Sequence, residues 1–315
     1  MGFKRITVRV LPDGELATVR PFHVSTEGQE DRVIFRDDED LKVGFNYFPI
    51  CAHRANVRIV TCIDINTHVH AMVLAREYDD VDSFINMYKI SVSKYLTNKY
   101  GTSGYSCIYR NVDATPILLE DNQHVRNTLC YIAKNSLDLG IRVDRYRWSA
   151  YRAMFSHGAI DVPVKKCSDM SYRQVRNVLR TDSIPHNVEW MITEDGVIEP
   201  SSFCDWQYVE EAFNGDASFF LRTLGLTDNN QMDQEMVINP KRRLAIDELL
   251  KIIDEKCIKW YGRSLAYLDI AEKIPVIKSI YYSTNTHPAQ LARCFGLAKE
   301  QIIKIIGKRS LPPVP

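Results

Sequence analysis

Several absences narrow the possibilities at once. The chain has 315 residues and no net charge, with 40 basic side chains set against 40 acidic ones. Overall charge therefore says nothing about an anionic partner, and only local charge can point to one. The eight cysteines (51, 62, 107, 130, 167, 204, 257 and 294) include no C-x-x-C pair. That argues against a zinc ribbon or a disulfide framework and fits a reducing compartment. No apolar run approaches the roughly 18 residues of a membrane span. The opening stretch "MGFKRITVRVLPDGE" lacks the apolar core of a secretory signal, and Ile6 stands where a myristoylation signal wants Ser or Thr. Internal repeats, low-complexity tracts and the phosphate-binding pattern G-x-x-x-x-G-K-[ST] are all missing. The expectation is a soluble, cytoplasmic protein with no membrane contact, long enough for two or three domains.

What is present reads as alternating elements. A strand is expected near 16–25, then a helix over about 38–54 opened by the acidic "DDED". Carboxylates at a helix start favour its dipole, so this cluster reads as a cap rather than a metal site. Two apolar runs, "VRIVTCID" and "AMVLA", read as strands because neither has a helical repeat. A helix follows from about Ser83 to Lys99, with Gly101 ending it. "ATPILLE" (114–120) reads as another strand, and Asp121 can cap a helix over about 122–138 closed by Gly140. A small antiparallel sheet packed by helices is the natural α+β solution to that order. The stretch 156–238 is mixed, 239–310 looks helical, and 311–315 is a tail.

Between the two strands that follow the first helix lies "INTHVH" (65–70). Side chains two apart on a strand share a face, so His68 and His70 project together. They could be an exposed edge or two satisfied core histidines. Ala71 and Met72 follow where a metallo-β-lactamase-type site needs Asp and His, and Glu77 is too distant for a cupin-type one. A partner must come from elsewhere, and the helix at 122–138 offers one. Its stripe of Thr128, Tyr131, Asn135 and Asp138 places Tyr131 and Asn135 one turn apart. An amide oxygen beside two imidazoles is a ligand set for Mg²⁺ or Mn²⁺. A tyrosine one turn away could attack a phosphate held there, forming a covalent intermediate. A partly buried Tyr beside a solvated Asn is the alternative for the same spacing.

"THVH", followed some sixty residues later by "YIAKNSLDLGI", resembles the HUH single-tyrosine transposases, and among them the REP-associated tyrosine transposases. "FHVSTEGQ" (22–29), "IFRDDED" (34–40) and "YRWSAYRA" (146–153) match further family features, so the likeness spans about the first half of the chain. The resemblance implies the HUH endonuclease fold, a ferredoxin-like antiparallel sheet with helices. It puts the metal-binding pair on His68 and His70, the nucleophile on Tyr131 and a further ligand on Asn135. Ser136 replaces the family's usual Pro, which could let the helix run on unkinked, and Thr67 replaces its usual Asn. The implied reaction is nicking and rejoining of single-stranded DNA, at a hairpin or repeat, through a 5′-phosphotyrosine. A divalent metal, Mg²⁺ or Mn²⁺, would be the cofactor, and the protein would work as a monomer or homodimer.

Local charge agrees with a DNA partner. Between Asp82 and Asp113 no acidic residue occurs, while Lys89, Lys94, Lys99 and Arg110 alternate with Tyr88, Tyr95, Tyr100, Tyr105 and Tyr109. Basic groups track a backbone and aromatic faces stack bases. Lys89, Lys94, Tyr105 and Arg110 are the expected contacts, with Arg126 and Lys134 on the candidate catalytic helix. Arg142, Arg145, Arg147 and Arg152 form a second basic run. "HPAQLARCFGLAKEQIIKIIGKR" (287–309) reads as a helix-turn-helix whose second helix offers Lys299, Gln301, Lys304 and Lys308 to duplex DNA. The stretch from about 243 resembles the C-terminal DNA-binding domain of the replication initiator DnaA. The expected organisation is thus a catalytic domain over 1–155, a middle region over 156–238 and a helical DNA-binding domain over 239–310. The rival from another class is a regulator that keeps the fold and binds DNA without cutting it.

Overall fold

Asp37 starts the first helix by accepting a hydrogen bond from the backbone N–H of Asp40 at 2.9 Å, satisfying one of the orphan donors of the first turn. The computed structural model in which this is seen describes residues 2–26, 33–101, 109–112, 114, 116–155, 163–182, 185, 188–227, 246–283, 286 and 288–307. Tyr105, Lys308 and the tail at 311–315 lie outside the described residues. The chain divides into two units, 1–229 and 230–313.

The first unit runs β1 (Thr7–Val10), β2 (Leu16–Ser25), α1 (Asp38–Arg54), β3 (Arg58–Asp64), β4 (Val69–Ala75), α2 (Tyr78–Tyr100), β5 (Ile117–Leu118) and α3 (Asn122–Lys134). From β2 to β5 this is a β-α-β-β-α-β succession, and its strands lie side by side as β5-β2-β4-β3, every neighbour antiparallel. β1 adds to the N-terminal part of β2. The α+β class expected from the sequence is the class the chain forms, with a mainly helical C-terminal region.

Boundaries differ in instructive places. α2 starts at Tyr78 rather than Ser83, because the Glu77 N–H bonds the Asp80 carboxylate at 3.3 Å and closes an earlier first turn. β5 keeps only two paired residues of the seven expected, with a separate bridge from Ala114 to Thr26. β1 alternates between half-buried and exposed positions, too short to announce itself. After Lys134 the α-helix tightens into a 3₁₀ turn, Asn135–Leu139, and Gly140 ends it in the left-handed region at φ 69°. Ser136 in place of Pro therefore does not let the α-helix run on.

Register decides which helix covers which face. His70 pairs with Ile63 and Ser25, His23 with Met72, and Asp64 with Val69. Paired residues share a face, so His23 and His70 point one way and Asp64 the other. Tyr88 of α2 donates to Asp64 Oδ1 at 3.1 Å, and a Cβ on Gly44 of α1 would stand 2.5 Å from Asp64 Oδ2. α1 and α2 thus cover the Asp64 face. The histidine face meets α3. Every residue of β4 is buried as a result, which explains its unbroken apolar run.

Lys99 Nζ sits 2.7 Å from both Asp37 and Asp40, and the Tyr100 hydroxyl donates to Asp40 at 2.8 Å, binding the end of α2 to the start of α1. The "DDED" cluster is thereby occupied as a cap and an ion-pair anchor. The stretch 163–226 belongs to the same unit. It contains β6 (Pro163–Lys166), α4 (Tyr172–Leu179), β7 (Met191–Thr193), α5 (Trp206–Ala212) and α6 (Ala217–Leu226). Buried Asp205 takes Arg9 and Arg58, each at 3.1 Å, and its N–H bonds the Ile59 carbonyl at 2.7 Å. The Asn46 amide of α1 donates to Gly196 and accepts from Ile198, both at 2.8 Å.

The second unit contains α7 (Ile246–Tyr261), α8 (Ile270–Ser283), α9 (Pro288–Phe295) and α10 (Lys299–Ile306). Its core is built from Leu249, Ile253, Ile277, Leu291, Phe295 and Ile302. No helix among the described residues is long and apolar enough to cross a membrane.

Two outcomes test this packing. Gly44→Ala would push a methyl group 2.5 Å from Asp64 Oδ2 and 2.6 Å from the Phe35 ring. We expect a loss of about 1–3 kcal/mol, read by denaturant unfolding, as for other overpacked sites. An unchanged midpoint would refute the close approach. Asp64 itself is fully buried, and burial pushes its carboxyl well above the ordinary 3.8 while the Tyr88 hydrogen bond pulls the other way. The folded state then keeps a proton that the unfolded chain releases above about pH 3.8, so its stability falls as pH rises from there. Asp64→Asn removes that proton, and its stability relative to the parent should rise between pH 4 and pH 8. A pH-independent difference would contradict the burial of a neutral carboxyl.

Candidate active site

Pleat alternation on β4 and the residues before it puts His68 and His70 on one face, their ring centroids 4.8 Å apart at 82°. A third imidazole joins them from β2. His23 lies nearly parallel to His70, at 9° with centroids 5.3 Å apart, and its Nε2 is 3.2 Å from His70 Nδ1. Sequence reasoning does not single out His23, although "FHVSTEGQ" contains it. The pairing of β2 with β4, set between residues about fifty apart, is what brings it in.

α3 supplies the rest. The Tyr131 ring stands edge-to-face with His70 at 5.2 Å and with His23 at 6.1 Å. Asn135, one turn on, is 2 % exposed, and its Nδ2 donates to the Tyr131 carbonyl at 2.9 Å. That bond fixes the amide and leaves its oxygen as the group to offer. α3 is aimed by Asp121, which accepts from the His124 N–H at 2.8 Å as the sequence suggested.

The electrostatics follow from burial. Desolvation, with His124 adding to it, pushes His23 down to about 3. His70 is held well below its ordinary value by burial, then by His68 and His23, while the Asn135 amide works the other way. Both rings are neutral near neutral pH, the form in which imidazole donates a lone pair. His68 is half-buried, with its Nδ1 2.9 Å from the Thr67 hydroxyl, so Thr67 orients the first histidine although it departs from the resembled pattern. Among the described residues no group of three or more His, Cys, Asp or Glu side chains is placed to hold a metal. The donors that converge are two imidazoles and one amide.

The expected DNA contacts fare unevenly. Lys94 and Arg110 are exposed. Lys89 is buried and donates to the Val112 carbonyl at 2.8 Å, so it is corrected from a DNA contact to a strut between α2 and the loop before β5. Arg126 bonds the Ala212 carbonyl at 2.6 Å and lies over the Phe219 ring, and Lys134 bonds the Thr227 carbonyl at 2.6 Å. Both hold α3 to the α5–α6 region, and this correction has the same cause: their polar ends are spent on carbonyls. Tyr88 and Tyr109 are core, and Lys99 is the anchor already described. In the second unit Lys299, Gln301 and Lys304 are exposed on α10, with Gln301 Oε1 also accepting from the Ala298 N–H. Beside the residues preceding His68, an open cavity of about 500 Å³ is lined by Phe35, Arg36, Asn66, Ile141, Arg145 and Trp148.

No family model matches the chain, and no curated protein matches it. Among solved structures, the chain is similar to a REP-associated tyrosine transposase bound to a REP hairpin. The TM-score is 0.33 at 13 % identity, over 42 % of this chain and 76 % of that one.

Proposed function

We propose that the first unit is a divalent-metal-dependent endonuclease of single-stranded DNA that nicks and rejoins strands through Tyr131. The observation that carries this reading is the convergence on one sheet face of His68, His70, Tyr131 and Asn135 from β4, the turn before it, α3 and the 3₁₀ turn that follows α3. The sequence blocks that resemble the HUH single-tyrosine transposases fall on these same residues.

The residues fit a Mg²⁺ or Mn²⁺ ion. His70 offers a buried, neutral imidazole, the Nδ1 of His68 lies 2.9 Å from the Thr67 hydroxyl, and the Asn135 amide is fixed through its nitrogen. When bound, such an ion would polarise a phosphoryl oxygen and offset the charge that grows on it. The chain's own work is positioning. α3 holds the Tyr131 ring against the imidazoles, so that a backbone phosphate seated there meets the phenolic oxygen. Tyr131 Oη bonds the phosphorus, the bond to the 3′ oxygen breaks, and the phenolic proton ends on that 3′ oxygen. A 3′-OH returning to the phosphotyrosine reverses the step without a nucleotide cofactor, since one ester replaces another.

One observation favours a second reading, a DNA-binding regulator that does not cut: Tyr131 is 5 % exposed, as a purely structural ring would be. A covalent-adduct assay separates the two. The full chain is mixed with labelled single-stranded hairpins and Mn²⁺ or Mg²⁺, then run on a denaturing gel. We expect a metal-dependent adduct that disappears in Tyr131→Phe and falls more than about tenfold in His68→Ala. An adduct surviving Tyr131→Phe would mean that another residue is the nucleophile. Retained binding with no adduct across a varied hairpin panel would establish the regulator.

For the second unit we propose a grip on duplex DNA through α10, supported by its exposed cations and by the turn at Gly296 (φ 65°) that separates it from α9. Replacing both Lys299 and Lys304 by Ala should lower the slope of log K against log salt by about 1.8, at about 0.9 per phosphate contact. A slope that does not change would remove those lysines from the interface.

A further inference from the structure

We infer that the open cavity beside the histidine turn is a subsite for one unpaired nucleotide of a single DNA strand, the nucleotide adjoining the phosphate at His68 and His70. The inference deepens the endonuclease reading and rests on it. Each wall of the cavity continues, or is bonded to, a segment that carries or leads into a residue of the site. Asn66 stands two residues before His68, so their Cα atoms are at most about 7 Å apart. Its carbonyl accepts from the N–H groups of Ile34 and Phe35 at 2.7 and 3.0 Å, which fixes the wall before α1 to the histidine turn. The Ile141 N–H bonds the Ser136 carbonyl at 3.1 Å, next to Asn135, and so holds a second wall. The third hangs on the end of β3. There the Asp64 N–H bonds the Trp148 carbonyl at 2.9 Å, and the Tyr146 hydroxyl donates to the Asp64 carbonyl at 2.6 Å. A strand with one phosphate at the histidines therefore reaches this cavity with a neighbouring nucleotide.

The lining matches the parts of a nucleotide. Leu139 and Ile141 are 37 % and 38 % exposed, an apolar floor on which the face of a base can rest. The half-buried Asn66 amide also lines the cavity, with no hydrogen-bond partner among the described residues, and offers a donor and an acceptor to a base edge. Arg36 and Arg145 supply cations for the flanking phosphates. The Arg36 guanidinium lies 4.2 Å over the Tyr100 ring. Arg145 is 76 % exposed and 4.0 Å from Asp144, which Arg142 already holds by two hydrogen bonds. Two acidic residues share the lining. Lys99 neutralises Asp37 at 2.7 Å, and the exposed Asp38 can accept from a base amine. A base stacked and paired in a duplex shows neither its face nor its pairing edge, so the occupant is unpaired.

The test uses the full chain in EDTA, where no strand is cut, and reads fluorescence anisotropy with a short labelled oligo-dA beside an abasic strand of equal length. Expected is a loss of about fivefold or more in oligo-dA affinity in Ile141→Ser, which removes the floor, and in Asn66→Ala, which removes the edge contact. Affinity for the abasic strand should stay at the parent's value in both, which also shows that the variants are folded. Arg145→Ala should weaken both strands and lower the salt slope by about 0.7. Equal oligo-dA affinity in the parent and both variants, or an equal loss for the abasic strand, overturns the subsite. Binding of dAMP as tight as that of oligo-dA would make the occupant a free nucleotide and overturns it as well. The two readings fail separately. Loss of oligo-dA in both variants, with a parent that forms no adduct in Mn²⁺, sinks the nuclease chemistry and keeps the subsite. An adduct in the parent together with unchanged oligo-dA binding in both variants does the reverse.

Discussion

Everything about the site depends on β4 being buried on both faces. Water reaches neither side, so each polar atom on this strand must find a partner within the protein or on a ligand. On one face that constraint keeps His70 neutral, with its Nδ1 3.2 Å from His23 Nε2. On the opposite face of the sheet, burial pushes the carboxyl of Asp64, on neighbouring β3, well above its ordinary value beneath Tyr88. The two are separated by the thickness of a single strand pair, yet they answer the same desolvation in opposite senses. An imidazole loses its charge by giving up a proton, and a carboxyl by keeping one.

Helix α3 is held at both ends and along its back. Asp121 caps its start, Arg126 and Lys134 tie it to neighbouring carbonyls, and Gly140 ends the tightened turn that follows. Cations that look available for DNA in the sequence are thereby consumed in fixing the helix that carries Tyr131. The same holds for Lys99, which joins α1 to α2 by bridging two aspartates. Local basic charge is thus a weak guide to a nucleic-acid face wherever buried carbonyls and carboxylates lie within reach of long side chains.

Much of this was legible beforehand. The extents of β2 and α1 follow from apolar periodicity and from the acidic start of the helix, both local properties. His68 and His70 share a face by strand parity, and Tyr131 stacks one turn before Asn135 by helical spacing. Those local rules also imply the succession β-α-β-β-α-β and with it an antiparallel α+β sheet.

What the chain could not announce was long-range pairing. His23 reaches His70 only because β2 lies against β4, and a register slip of one residue would turn it to the Asp64 face. The fates of Lys89, Arg126 and Lys134 were hidden for the same reason, since the carbonyls that capture them at 112, 212 and 227 lie on other segments. Sequence alone determined which side chains share a strand face or a helix turn, because that geometry repeats within a few residues. Tertiary structure decided which of them meet and which charges are spent, because burial and cross-strand partners are properties of the packed sheet.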